Sequence, residues 1–216
     1  MEDFFLHFLN PIKIIVALAF CYAAFNLDRK KPLNRKILAI LLVCLLTEII
    51  NSALKSSGKS TNLSTSLSII AHGALWLWLL AGLVAIRTAA LAALLVFLIF
   101  ALVDLFFLEG LWHFNYYPFV AGAFLYIVIF IYESFYRLYK EDFEFFLDRK
   151  YLLLLAPVLF FFGVSFMFGF KSKEVTSSLV FGRVKLYTFI IYFVNSAYYG
   201  LVAGYVFRER KERNHE

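Results

Sequence analysis

The stretch Ala89-Ala90-Leu91-Ala92-Ala93-Leu94-Leu95-Val96-Phe97-Leu98-Ile99-Phe100-Ala101-Leu102-Val103 decides the fold. None of its side chains carries a polar group, and Asp104-Leu105-Phe106-Phe107-Leu108 extends it with a single acid. A hydrocarbon core about 30 Å thick takes about 20 mostly apolar residues as one helix. The run is continuous rather than alternating, so it reads as a membrane helix and not as a barrel strand. Further runs of the same kind lie on both sides of it. The expected spans are Phe4–Phe25, Ile37–Leu54, Leu67–Ile86, Ala89–Leu108, Tyr117–Leu138, Tyr151–Phe170 and Leu186–Phe207. The expected fold is an all-α integral membrane protein, a seven-transmembrane-helix bundle forming one domain over 1–216, with 208–216 as a cytoplasmic tail.

Composition supports the same class. Hydrophobic residues are 62% of the 216, charged residues 17%, and mean hydropathy is +0.79. Soluble domains carry about 45–50% apolar and about 25% charged residues. A soluble core of this size would leave much apolar surface in water. Disordered, collagen-like and disulfide-scaffold classes are excluded.

Charge between the runs sets orientation. One side holds fourteen basic residues: Arg29, Lys30, Lys31, Arg35, Lys36, Arg87, Arg137, Lys140, Arg149, Lys150, Arg208, Arg210, Lys211 and Arg213. The other holds six: Lys55, Lys59, Lys171, Lys173, Arg183 and Lys185. The positive-inside rule places the N-terminus outside and the C-terminus in the cytoplasm, which suits an odd number of spans. Met1-Glu2-Asp3 is acidic and has no basic n-region, so the first run reads as a retained helix rather than a signal peptide. The net charge of +6 falls on the cytoplasmic flanks, where it meets anionic headgroups; nucleic acid is not an expected partner. Cys21 and Cys44 lie inside spans and read as small packing residues, not a disulfide.

The loop Asn51–Ser66 reads as polar and mobile. Trp112, Tyr116 and Tyr117 read as an interfacial belt, with Pro118 in the first turn of the next span. Arg137–Lys150 fits either a surface amphipathic helix carrying Phe143, Phe145, Phe146 and Leu147, or a helical extension into solvent. Glu133, four residues before Arg137, reads as half of an intrahelical ion pair. Gly200 and Gly204 would let the last span approach a neighbour in the same bundle or in a second copy.

Leu27-Asp28-Arg29-Lys30 recurs as Leu147-Asp148-Arg149-Lys150, 120 residues on. Shifting spans one to three by that interval lands near spans five to seven. This fits a parallel 3+1+3 repeat of the SWEET transporter type, with span four as connector. Even spacing of spans gives the same match, and polar positions do not repeat: Glu48 maps to Phe168 and His72 to Tyr192.

Ionisable residues inside a bilayer are costly and tend to face a bundle interior or water. With the orientation above, Glu48, His72 and Asp104 fall in the outer half of the membrane, Lys13 near its middle and Asn195 about ten residues into span seven. Two readings stay open. An outward polar pocket could be lined by Glu48, Asn51, His72, Asp104, Glu109 and His113, with Asn195 nearby and Lys13 as counter-charge. Alternatively, Lys13 and Glu48 form an interhelical pair while Asp104, Glu109 and His113 sit in headgroup water. No His-x-x-x-His, phosphate loop or Gly-x-Ser-x-Gly occurs, so no catalytic residue, cofactor or metal is expected. A membrane-embedded lipid hydrolase would need Glu48 and Asp104 as paired carboxylates.

Leu46-Thr47-Glu48-Ile49-Ile50-Asn51, His72 and the run Phe107–Tyr116 resemble a family of small seven-span inner-membrane proteins of Bacteroidota. That family is itself similar to the membrane input regions of sensor kinases. The resemblance implies a bacterial inner-membrane protein and singles out Glu48 and Asn51; it implies no chemistry. The expected function is sensing or binding a small ligand or lipid through the outward pocket. The signal would pass to a cytoplasmic protein docked on Arg137, Lys140, Arg149, Lys150, Arg208, Arg210 and Lys211, which could equally contact lipid. The alternative is a small-solute transporter.

Overall fold

The computed structural model describes residues 10–169, 178–180, 182 and 184–213, without the side chains of 166–169. The N-terminal residues to Leu9, the end of the sixth expected span at Phe170, Lys171, Lys173, Arg183, and the terminal His7 and His215 lie outside the described residues. The chain is mostly helical. In order come α1 (Pro11–Asn26), α2 (Pro32–Ser56), α3 (Asn62–Ala81), α4 (Arg87–Val103), a π-helical turn (Asp104–Leu108) and α5 (Tyr116–Tyr139). A short α6 (Glu144–Leu147), α7 (Arg149–Gly169), a two-residue hairpin of β1 (Leu179–Val180) and β2 (Val184–Lys185), and α8 (Leu186–Arg213) follow.

Among the described residues, five segments are long and apolar enough to cross a membrane: α2, α3, α4 with its π turn, α5 and α8. Described α1 is apolar but shorter, at 16 residues. Helix α7 has 21 residues and carries Pro157 inside it. The chain is therefore a helical membrane protein. Phe25, Leu18, Phe107, Phe124, Phe135 and Phe193 stay exposed on its outside, as a lipid solvent permits.

Several boundaries differ from the sequence reading, for physical reasons. Helix α3 begins at Asn62, five residues before the expected Leu67, because its polar first turns find partners. Ser64 bonds Asn51, Thr65 Oγ1 accepts from Asn51 Nδ2 at 3.2 Å, and Ser66 Oγ accepts from the Asn115 N–H at 2.9 Å. The expected polar loop Asn51–Ser66 thus shrinks to a few residues around Gly58, which takes φ +66. At its other end α3 stops at Ala81, short of Ile86. The carboxylate of Glu133 accepts from the Ala85 N–H at 2.8 Å and from Arg137 Nε at 2.7 Å, pinning the connection to α5. Helix α8 continues to Arg213, so the expected tail is largely helix. In Arg137–Lys150, α5 runs one residue past the expected end, reverses at Glu141 (φ 54) and returns through α6.

Sequential packing closes a ring: α1 on α2, α2 on α3, α3 on α5, α5 on α7, α7 on α8, and α8 back on α1. Helix α4 lies outside the ring against α3 and α5. Small residues set the closest approaches. The Phe97 ring of α4 fills the space over Gly73 of α3 and Gly122 of α5, where a Cβ would meet it at 3.0 and 2.9 Å. Gly163 of α7 faces Val194 of α8 with no room for a Cβ. By contrast, a Cβ added at Gly200 or Gly204 would meet nothing within 4 Å among the described residues, so these glycines bring no described helix of this chain close.

Candidate functional site

One end of the bundle carries the fourteen basic residues; a cavity of about 350 Å³ sits toward the other. All six ring helices contribute to it. Their polar residues are Thr47, Glu48 and Asn51 from α2, Thr65, Ser68 and His72 from α3, and Asn195 from α8. Local helix geometry explains the grouping. Glu48 and Asn51 are three residues apart, as are Thr65 and Ser68, and His72 follows Ser68 by four; these spacings share one helix face. Thr47 Oγ1 donates to Val43 O and lies within hydrogen-bond distance of Ser68 Oγ, both at 2.7 Å, tying α2 to α3.

The cavity floor is aromatic. Trp76 Nε1 donates to His72 Nε2 at 3.1 Å and to Tyr198 Oη at 3.0 Å, and Tyr198 Oη lies 3.0 Å from His72 Nε2. A tryptophan N–H can only donate, so His72 Nε2 accepts and the imidazole is neutral, with its proton assigned to Nδ1. Tyr126 and Phe161 pack against this group. Leu77, Leu79 and Leu80 of α3 and Leu153 and Leu154 of α7 are fully buried nearer the basic end.

The candidate residues from the sequence divide into two groups. Glu48, Asn51, His72 and Asn195 share the cavity. Lys13 does not line it. Its Nζ donates to Ser52 Oγ at 2.6 Å and lies 3.9 Å from Glu48 Oε2, giving the interhelical pair of the second reading. Asp104, Glu109 and His113 are not cavity residues. They gather at the π turn and the following connection, so one pocket holding all of them is not what the structure builds. Nor is Asp104 in headgroup water: it is fully buried, and Asn115 Nδ2 donates to its Oδ2 at 2.9 Å. Glu109 accepts from the Tyr117 N–H at 3.1 Å, and His113 Nδ1 lies 3.1 Å from the Glu109 carbonyl. Partial burial pushes the Glu109 carboxyl above the ordinary carboxylate range, and the neighbouring Asp104 pushes the same way; the Tyr117 N–H opposes both. Glu48 and Asp104 do not meet as the paired carboxylates a lipid hydrolase would need.

The basic end carries an ion-pair cluster. Glu209, 4% exposed, accepts from Lys31 Nζ at 2.7 Å and lies 3.1 Å from Arg149 Nε; Arg149 also pairs with Glu212. Asn34 links into the same group, donating to Asp28 O at 3.0 Å and accepting from Tyr205 Oη at 2.9 Å. Of the residues expected to meet a cytoplasmic partner or lipid, Arg149 and Arg137 are therefore engaged inside the protein. Arg137 bonds Glu133 and Asp142 and stacks on Phe145. Arg208 donates to Leu147 O at 3.2 Å but remains exposed, as do Lys140, Lys150, Arg210 and Lys211.

Sequence reasoning missed Asn34, Ser52, Asn115, Tyr198 and Glu209. Asn115 reads as a loop residue and Glu209 as one acid in a basic tail; neither has a local pattern that marks burial. No family model matches the chain, and neither does a curated protein or a solved structure. Fold and site define a class: a helical membrane protein with a polar cavity among its helices at the end opposite its basic flanks.

Proposed function

We propose that the protein is a seven-span inner-membrane protein, N-out and C-in, that binds a small ligand in this cavity and reports occupancy to the cytoplasm. Helices α1 and α7 supply the two further spans. Charge bias supports the orientation, since the basic end is the cytoplasmic one under the positive-inside rule. The observation that carries the reading is the cavity's one-sidedness: Glu48, Asn51, His72 and Asn195 meet toward the outer end, while the Glu209 ion pairs and fully buried leucines occupy the inner end. Displacement of α8, which lines the cavity with Asn195 and Tyr198 and carries Glu209, links the two ends. Exposed Lys140, Lys150, Arg208, Arg210 and Lys211 are available there to a signalling partner or anionic lipid.

A transporter is the second reading, favoured by the contact order. Helices α1–α2–α3 and α5–α7–α8 each pack in sequence, α3 meets α5 as α8 meets α1, and α4 stands outside. The recurring tetrads also make the same turn: Asp28 Oδ1 accepts from the Lys30 N–H at 2.9 Å and Asp148 Oδ1 from the Lys150 N–H at 3.0 Å. Such pseudo-symmetry suits alternating access.

Asn195→Cys, placed in a chain with Cys21→Ala and Cys44→Ala, separates the readings. A membrane-impermeant thiol reagent should label it in intact cells and not from the inner face of inverted vesicles. Labelling from both faces supports the transporter instead. Labelling from neither removes the outward cavity.

A further inference from the structure

Glu48 is the one formally charged residue among the described residues that line the cavity; His72 is neutral because its Nε2 accepts the Trp76 N–H. The Glu48 side chain keeps 30% of its surface exposed. Lys13 compensates it only at 3.9 Å, while its Nζ is drawn to Ser52 Oγ at 2.6 Å, and Lys13 itself does not reach the cavity wall. Asn195 Nδ2 donates to Ile191 O at 2.8 Å within its own helix, which leaves the amide oxygen as an acceptor. Aromatic side chains make up about half of the remaining wall, among them Phe114, Phe119, Phe160, Phe161, Tyr187 and Tyr199. Acceptors and ring faces both favour positive charge. A carboxylate makes its strongest hydrogen bonds to cationic donors, and ring faces attract ammonium groups by their quadrupoles. An anion would meet Glu48 with no lining cation to hold it. A neutral guest would replace the water at the carboxylate with a weaker neutral hydrogen bond or with none.

We propose that the cavity holds a small organic cation, a primary or substituted ammonium on an apolar body, with the ammonium at Glu48 and the body against the aromatic wall. The proposal rests on the ligand-binding reading above and deepens it. A cavity of about 350 Å³ lies at the lower end of small-molecule sites, which suits a compact amine rather than a whole lipid. An aminophospholipid headgroup entering from the membrane offers the same chemistry.

The test uses the purified full chain in a non-ionic detergent, with a charge series of one shape: 2-phenylethylamine, its trimethylammonium analogue, 2-phenylethanol and phenylacetate. Binding is read from the thermal unfolding midpoint and from tryptophan emission, since Trp76 bonds directly to the cavity floor. Both cations should raise the midpoint by several degrees with saturation, and the alcohol and the acid should not. Glu48→Gln should weaken the amine at least tenfold. Because that change also disturbs Lys13 and could impair folding, the charge series on the unaltered protein is decisive by itself. An equal response to phenylethanol, or a preference for phenylacetate, overturns the cation while leaving a ligand cavity standing. No response to any probe also overturns it, and labelling of Asn195→Cys then decides whether the cavity reading falls as well. Phosphatidylethanolamine competing with phenylethylamine identifies a lipid headgroup as the source; failure to compete identifies a free solute. Either result sustains the cation.

Discussion

Lys31 and Glu209 are 178 positions apart in the chain and 2.7 Å apart in the fold. Their contact ties the start of α2 to the far end of α8, and Arg149 brings the start of α7 to the same carboxylate. Three helices meet at one side chain at the basic end.

Glu209→Gln should therefore loosen that end. Removing one partner of a buried ion pair costs about 3–5 kcal/mol, but Lys31 is 46% exposed and Arg149 keeps Glu212, so a loss of about 1–2 kcal/mol is expected. The unfolding midpoint should fall accordingly. In addition, under the proposed orientation, Asn195→Cys should gain reactivity from the basic end. Labelling that stays unchanged would show that Glu209 does not close that end.

Phe97 is the wedge between α3, α4 and α5. Phe97→Ala empties a ring-sized space walled by Gly73 and Gly122 and should cost about 3–5 kcal/mol, the usual range for truncating a buried phenylalanine. Gly122→Leu overfills the same space and should also destabilise, by about 1–3 kcal/mol. The pair Phe97→Ala with Gly122→Leu should recover part of the loss, because the new side chain enters the vacated volume. If the double variant is less stable than either single one, the two sites do not share that space. Phe97 also lines the cavity, so ligand-induced stabilisation should change in both single variants.

The Asp104–Glu109 neighbourhood should confer a pH dependence of the opposite sign to an ordinary ion pair. Glu109 titrates above its unfolded value, so the folded state holds the proton more tightly. Stability is then greatest below the ordinary carboxylate value and declines as pH rises from that value through the raised one. Asp104→Asn keeps an acceptor for Asn115 Nδ2 and removes the neighbouring charge, so the decline should flatten. Unfolding midpoints measured between about pH 4 and 7 check this against the ordinary carboxylate value near 4.3. An identical slope in parent and variant would mean that Asp104 does not act on Glu109.

The helices were legible because lipid imposes one requirement, continuous apolar length, that composition displays directly. Their exact ends were not, where polar residues satisfied each other across helices. Asn62 to Ser66 read as loop because the partners of Ser64, Thr65 and Ser66, namely Asn51 and Asn115, belong to other segments. The same limit applied to the site. Glu48, Asn51 and His72 stood out as costly groups in apolar runs, whereas Tyr198 and Trp76 look like ordinary membrane aromatics until their polar atoms meet at His72. Gly200 and Gly204 carried the spacing of a close contact, yet the tight approach is at Gly163, whose only sequence mark is its size.

Glu133 offers the sharpest separation of charge from shape. Its two carboxylate oxygens serve different elements: Oε1 takes Arg137 from its own helix, and Oε2 takes the Ala85 N–H of the connection between α3 and α4. The residue is 1% exposed, so neither bond is replaced by water when it is lost. Glu133→Ala should cost about 2–4 kcal/mol, combining an orphaned backbone donor with a guanidinium that loses one of its two carboxylates. Arg137 retains Asp142 at 2.8 Å, which keeps the loss toward the lower end. Arg137 and Ala85 bond different oxygens, and Glu133→Gln puts an NH2 donor at one of those two positions, so one partner keeps its acceptor in place and the other faces a donor. Glu133→Gln should recover roughly half of the loss, about 1–2 kcal/mol. Amide exchange at Ala85 distinguishes the partners: rapid exchange in Glu133→Ala and slow exchange in Glu133→Gln means the amide oxygen has gone to the backbone. Rapid exchange in both means that Arg137 holds it, and that the connection to α4 depends on the second carboxylate oxygen.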